Sequence, residues 1–465
     1  MSTTESCALS AEELCWRCDP AQFAFETTAD LPDLSEIIGQ PRAVEAIRFG
    51  IQVRSPGYNM FALGPNGIGK TTTVDRFLVR EAAQQPVPDD WCYVHNFRDP
   101  RRPRALRLPA GMGTALRADV KQLIAGLRTA ILAAFESEDY EAHTQAIQQK
   151  VRGRQEEVLG KVRALAEQRG IAMVKTPEGI GFAPVAGGKP ISPEEFHKLP
   201  AEQREMIQRN LAYLEEQLGA AVRELSQAEK AIIAEARQLN RQVAAFAAGR
   251  HVQELIDKYA RYEDIVDYFK ALQEDVLDNV EDFRPAEQQE QAAEPSLERY
   301  EVNLIVDRTT TQGAPIVIAD NPTYQNLLGT IEYRSEMGTL VTDLTLIKAG
   351  ALHRANGGYL IIEAAPLLQK PFAWEALKRA LRTGRIAIES LAQELSPVST
   401  VTLEPEPIPL RLKVVLIGDP LLYYLLYEHD PDMRELFKVQ VDFAEDMPCT
   451  PENMALYARF VATIA

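Results

Sequence analysis

Gly64-Pro65-Asn66-Gly67-Ile68-Gly69-Lys70-Thr71 matches the pattern G-x-x-x-x-G-K-[ST] at every fixed position. The spacing has a physical meaning. Glycines let successive backbone N–H groups turn inward around phosphate oxygens, and a helix beginning at the end of the loop presents its positive dipole end to them. In that arrangement a lysine at position 70 reaches the β- and γ-phosphates, and the Thr71 hydroxyl is a ligand for Mg2+. The flanks agree. Tyr58-Asn59-Met60-Phe61-Ala62-Leu63 has the length and apolarity of a buried strand, and Thr72-Thr73-Val74-Asp75-Arg76-Phe77-Leu78 follows as a helix. The prediction is a strand, a phosphate-binding loop running from Gly64 through Thr72, and a helix, with ATP and Mg2+ as the bound pair.

Composition narrows the partners. The chain has 465 residues, enough for two or three domains, and a formal net charge of -17. That charge argues against a nucleic-acid partner, because affinity for phosphate backbones comes from clustered Lys and Arg. Arg98, Arg101, Arg102, Arg104 and Arg107 do cluster, but Pro100 and Pro103 break the stretch, which reads as a loop with a surface or subunit-contact role. Five cysteines over this length point to reduced thiols and a cytoplasmic setting. Cys15-Trp16-Arg17-Cys18 is a lone C-x-x-C without a second pair, too little for a zinc site. Neither a leader pattern nor an uncharged run near the ~18 residues of a membrane helix is found, so no membrane association is expected.

Four segments are expected: 1–113, 114–297, 298–450 and 451–465. The first holds the loop and then Trp91-Cys92-Tyr93-Val94-His95-Asn96-Phe97, a candidate second strand of an α/β layer. The second is rich in Gln, Glu, Ala, Arg and Leu, with Leu211, Leu214, Leu218, Val222 and Leu225 at helical spacing. It reads as long helices in an antiparallel, coiled-coil-like pair. Gly179, Gly181, Pro184, Gly187, Gly188, Pro190 and Pro193 break it, and 285–296 forms a linker. The third resumes strand patterns at 302–306, 315–318, 359–362 and 413–417. Together these predict an α/β fold with one parallel sheet, interrupted in sequence by a helical insertion.

Three further residues carry chemistry. The strand Tyr359-Leu360-Ile361-Ile362 ends in Glu363, where a P-loop ATPase places the acid serving Mg2+, although Asp is the usual residue. Glu363 either holds the metal or orients the attacking water, and Ala364 follows it. The strand 413–417 ends in Gly418-Asp419-Pro420, so Asp419 is a candidate sensor of the γ-phosphate. Arg434, with Lys438 second, lies ahead of the edge strand 439–443, where an arginine can cross to a neighbouring subunit.

Leu34-Ser35-Glu36-Ile37-Ile38-Gly39-Gln40, Pro322-Thr323-Tyr324-Gln325-Asn326-Leu327, Gly350-Ala351-Leu352-His353-Arg354-Ala355-Asn356-Gly357-Gly358-Tyr359-Leu360 and Trp374-Glu375-Ala376-Leu377-Lys378-Arg379-Ala380-Leu381 extend the pattern. With them the sequence resembles the AAA+ module of Lon-related ATP-dependent proteases of the LonB-like branch. The resemblance implies a hexameric ring ATPase that threads protein substrates into an attached peptidase. It implies that Ile37 and Ile38 flank adenine and that Tyr333 grips substrate. Relatives bound to membranes carry an anchor between the two nucleotide motifs, so an insertion without one implies a cytoplasmic member. There are also departures. Residues 451–456 look like a first lid helix only, and the chain has no G-x-S-x-G elbow, no H-E-x-x-H and no stretch resembling the Ser-Lys peptidase. A peptidase domain or subunit acting in trans is one reading. An ATP-binding regulatory or assembly module with little hydrolysis is the other.

Overall fold

The apolar run ahead of the glycine loop forms β1 (Met60–Leu63), buried at every position. Its neighbours come from distant sequence: β2 (Ile316–Ala319), β3 (Tyr359–Glu363), β4 (Lys413–Gly418) and β5 (Val439–Asp442). All run parallel, in the order β5-β1-β4-β3-β2. Strands buried on both faces read as continuous apolar runs rather than alternating ones, which is why they stand out in the sequence. Met60, Ala62, Ile361, Val415 and Val441 pack under α1 (Pro41–Gln52) and α2 (Lys70–Ala82). Phe61, Leu360, Ile362, Val414 and Leu416 pack on the opposite face, beneath the helix Ala364–Gln369, α3 (Ala373–Thr383), α4 (Pro420–His429) and α5 (Pro431–Leu436).

The structure, a computed structural model, describes residues 9–10, 14, 18–32, 38–176, 179–186, 189–191, 196, 200–283, 297–336, 338–389 and 402–464. The chain divides into two compact units, Met1–Ala115 with Val302–Ala465, and Leu116–Glu301. Ile37, the 285–296 linker, Cys15, Gly187, Gly188 and Pro193 lie outside the described residues.

Two strands expected in the parallel sheet are elsewhere. Asp90–Val94 pairs antiparallel with Arg104–Leu108 on one side and Asn303–Val306 on the other, forming a separate three-stranded sheet. The cause is local. The turn through Pro100 and Pro103 folds 104–108 back on 90–94, and the fully buried Asp90 carboxylate accepts the backbone N–H groups of Gly113 at 2.9 Å and Arg308 at 2.7 Å. Arg104 and Arg107 consequently lie on a strand, not in a loop, and Arg107 pairs with Asp89 at 2.5 Å while Arg102 pairs with Glu404 at 3.2 Å.

In the second unit the helices Glu138–Gln168 and Ala201–Lys258 pack antiparallel. Val158 and Val162 meet Ala221, Leu218 and Leu225, and Ala166 meets Leu211 and Leu214. Val222 is 55% exposed, so it lies off this seam. Where the glycines and prolines break the helical pattern, Ile171–Thr176 and Gly179–Ala186 form an antiparallel hairpin. The last helix of the chain, Pro451–Ile464, continues past the expected stretch.

Candidate functional site

Residues 64–69 leave the buried end of β1 and turn into α2, whose first residue is Lys70. Gly67 and Gly69 have φ of 87° and 76°, the left-handed region that only glycine enters cheaply, and a Cβ on either would meet nothing within 4 Å. Space beside the loop is therefore open, next to the N-terminal N–H groups of a 13-residue helix. This suits a polyphosphate. Lys70 is 7% exposed, and its Nζ donates to the carbonyls of Gly64 at 2.5 Å and Pro65 at 2.6 Å. Burial lowers its pKa, while the charges of Asp419 and Glu363 oppose that shift. Thr71 is half-buried in the first turn of α2 and Thr72 is exposed beside it.

Strand register explains why these residues meet. Leu63 sits opposite Gly418 on one side and Asp442 on the other, and Glu363 sits opposite Ile417. The loop, Glu363 and Asp419 thus share the carboxyl edge of the sheet, where ligands of open α/β sheets bind. Asp419 is exposed and caps α4, its Oδ1 accepting from Leu422 N at 2.8 Å. Glu363 is exposed at the tip of β3, makes no capping bond to the helix that follows, and has no ion pair among the described residues. A threonine hydroxyl and a carboxylate are hard oxygen donors of the kind Mg2+ takes when phosphates and water complete its shell.

Ile38 is half-buried in the turn before α1. That turn is tied to the chain just beyond β5, because Gln40 accepts from Ala444 N at 2.8 Å and donates to Ala444 O at 3.1 Å. Arg42 pairs with Asp442 at the end of β5. Sequence reasoning quoted Gln40 without giving it a role; its side chain could be recognised only once β5 was known to neighbour β1.

Arg434 is not with this group. Its Nε donates to Tyr427 O at 2.8 Å and its guanidinium lies 4.6 Å from the Tyr427 ring, about 12 Å of helix from Asp419. Lys438 lies over the Tyr58 ring, at 5.2 Å. Tyr333, expected to be an exposed aromatic, is half-buried and hydrogen-bonded to Thr402 Oγ1 at 2.7 Å. The exposed apolar residues nearby are Leu340 and Val341, on the hairpin of Arg334–Glu336 with Thr339–Val341.

Among the described residues no helix is long and apolar enough to cross a membrane. Residues 312–444 match the LonB-like AAA domain family, and residues 90–123 match the Lon-like LonC helical domain. A putative Lon protease homolog of Escherichia coli (strain K12) is 34% identical over 94 residues, which is 20% of this chain and 15% of that relative's length. The chain therefore spans a small part of that protein. The crystal structure of NtrX from Brucella abortus aligns with a TM-score of 0.20 at 17% identity, over 28% of this chain and 27% of that one, a likeness too slight to carry any argument. The LonB-like match takes in β2, β3, β4 and β5 with Glu363, Asp419 and Arg434, the strands that surround the loop-bearing β1. With the α/β core, these matches support a Lon-related family for the chain, with likeness to the LonB-like AAA domain over residues 312–444 and to the LonC helical domain over 90–123.

Proposed function

We propose that the chain is an ATP-binding AAA+ module that couples ATP hydrolysis to unfolding and translocation of protein substrates. The observation that carries this reading is the meeting of Lys70, Glu363 and Asp419 beside an open glycine loop at one edge of the sheet. In this reading the backbone N–H groups of 64–72 other than Pro65 bind the phosphates, and Lys70 leaves its loop carbonyls for phosphate oxygens. Ile37 and Ile38 flank the adenine. Thr71 and Glu363 would hold Mg2+, which when bound neutralises charge on the β- and γ-phosphates. Glu363 alternatively orients the attacking water, and Asp419 senses the γ-phosphate from the tip of β4.

Arg434 stands away from its own loop, which suits a role across a subunit boundary in a hexameric ring. Tyr333 and the hairpin after it would contact the polypeptide, and a peptidase would act from another domain or subunit. A cytoplasmic location fits the absence of an apolar spanning helix among the described residues. A second reading, an ATP-binding regulatory or assembly module, is favoured by one observation: Glu363 is the only acid at the end of β3, followed by the buried Ala364.

Steady-state ATP hydrolysis across protein concentrations, with ATP binding measured beside it for the parent chain and Lys70→Ala, separates the two. Turnover that rises with concentration and vanishes in the variant supports the motor. Lys70-dependent binding without turnover supports the regulatory module, and no binding defeats both.

A further inference from the structure

Away from the carboxyl edge, the first unit has a cleft of about 700 Å³, within the range of ligand-sized cavities. One wall is the last turn of α2, with Val79 and Ala82. The other is built from Ile305 and Val306 and from the start of β2, with Ile316 and Val317. β2 is the edge of the parallel sheet, paired with β3 alone among the described residues. Tyr359 N donates to Pro315 O at 2.8 Å, so by alternation 315, 317 and 319 bond inward to β3, and Ile316 and Ile318 turn their N–H and C=O groups outward. An open strand edge of this kind is a template for another strand. Ile318 and Val79, apolar and 47% and 52% exposed, lie beside this edge, which has Pro315 just before it and Asp320 just after it.

Two arginines, Arg308 and Arg354, and one acid, Asp307, line the cleft. Arg308 lines it, is 7% exposed, and spends Nη2 on the carbonyls of Arg354 at 2.6 Å and Asn356 at 3.1 Å, while its Nε has no partner. Arg354 lines it too, with an exposed side chain. Neither arginine has an ion pair among the described residues. The acid lining the cleft, Asp307, accepts from Thr114 and Thr309, and the buried Asp90 accepts from the backbone N–H groups of Gly113 and Arg308. The Asp90 charge offsets part of the cost of burying Arg308, so the groups left for an anion are the unpartnered Arg308 Nε and the exposed Arg354.

We propose that this cleft docks an extended acidic peptide, added as a further strand on the free edge of β2 with its carboxylates toward Arg354 and Arg308. Backbone hydrogen bonds would supply affinity and alternate side chains would supply choice, as in other strand additions.

The test uses the full chain and fluorescence anisotropy of a fluorescein-labelled hexapeptide of alternating valine and glutamate. A valine–lysine peptide and a backbone N-methylated valine–glutamate peptide are the comparators. Both comparators are expected to bind about tenfold more weakly or worse. Arg354→Glu should weaken the glutamate peptide by about fivefold or more and strengthen the lysine peptide. Ile318→Pro removes an outward N–H without touching the inner ladder, and should abolish binding with the thermal transition kept. Should Ile318→Pro fail to fold, the reversal of preference in Arg354→Glu decides alone. The proposal is overturned by no binding, by equal affinity for the two charge patterns, by unimpaired binding of the N-methylated peptide, or by Arg354→Glu binding as the parent does.

Discussion

Lys378→Met should destabilise the first unit by about 2–3 kcal/mol while leaving its fold intact. Lys378 is 5% exposed on α3, and its Nζ lies 2.9 Å from Asp430, 3.0 Å from Glu375 and 3.3 Å from Asp432. Asp430 Oδ2 also accepts from Trp374 Nε1 at 2.7 Å, and its Oδ1 accepts from Asp432 N at 3.0 Å, which caps α5, the helix carrying Arg434. The lysine thus fixes α3 to α5. Methionine keeps the stem but strands the Asp430 carboxylate, whose side chain is only 15% exposed, and to a lesser degree Asp432. Breaking a buried pair costs about 3–5 kcal/mol, and the loss here falls at or just below the lower end because Glu375 and part of Asp432 return to water. For a unit this large that amounts to a fall in Tm of about 4–6 °C, read by calorimetry at pH 7.

A second variant carries the control. Adding Asp430→Asn to Lys378→Met removes one stranded charge and should recover part of the loss. Protonation gives an independent check. On Asp430, burial raises the pKa, but hydrogen bonds from Lys378 and Trp374 outweigh it and the net shift is downward. Its contribution is present above 3.8 and disappears as pH falls through the lowered value. On Lys378, burial lowers the pKa, but bonds to Asp430, Glu375 and Asp432 outweigh it and the net shift is upward, so its contribution is complete below 10.5. The gap between parent and variant should be flat from about pH 5 to 9 and shrink below about 4. A Tm change under about 1 °C, or a double variant no more stable than the single one, would refute the argument.

Gly67→Ala should cost roughly 1 kcal/mol of stability for its left-handed φ of 87°, and should reduce ATP affinity by far more than that strain explains, since its Cβ enters the space beside the loop. Calorimetric titration with ATP checks this, and unchanged affinity removes the loop from binding. His353 is wholly buried, and burial, with the Arg354 charge second, lowers its pKa to about 3. The unfolded chain takes up the proton below about 6.5 and the folded chain does not, so stability falls as pH falls from 6.5 toward 3, by about 3 kcal/mol at pH 4.5. Urea titrations at pH 7 and 4.5 should show a smaller difference for His353→Leu than for the parent; equal differences contradict it.

The phosphate loop was legible because its chemistry fixes spacing: residues 64–71 must turn backbone donors onto one point, and only certain residues allow that. The core strands were legible as apolar runs. Their partners were not, since a run such as 91–94 has the same appearance in a parallel sheet and an antiparallel one. What placed it was Asp90, a single buried carboxylate holding Gly113 and Arg308. Sequence put Glu363 and Asp419 at strand ends, but only the register of β3 and β4 against β1 brings them level with Lys70. Arg434 could be identified from sequence as a helix charge; its packing on Tyr427 rests on how α4 and α5 fold together.

Glu363→Gln distinguishes the two roles left open for the acid. Lys70 is held by two neutral carbonyls and feels the charge of two carboxylates, so exchange onto phosphate replaces ordinary hydrogen bonds with charge-assisted ones of about twice the strength. The same carboxylates repel the incoming phosphates wherever no cation stands between them. Without Mg2+, Gln at 363 should therefore raise ATP affinity on either reading. With Mg2+ the readings part. If Glu363 holds the metal, the variant binds Mg-ATP more weakly and turnover falls with it. If Glu363 orients water, Mg-ATP affinity holds while turnover drops by about a hundredfold or more. An unchanged affinity in both conditions together with unchanged turnover would leave Glu363 a solvent-exposed strand end, and the acid would have to be sought at Asp419.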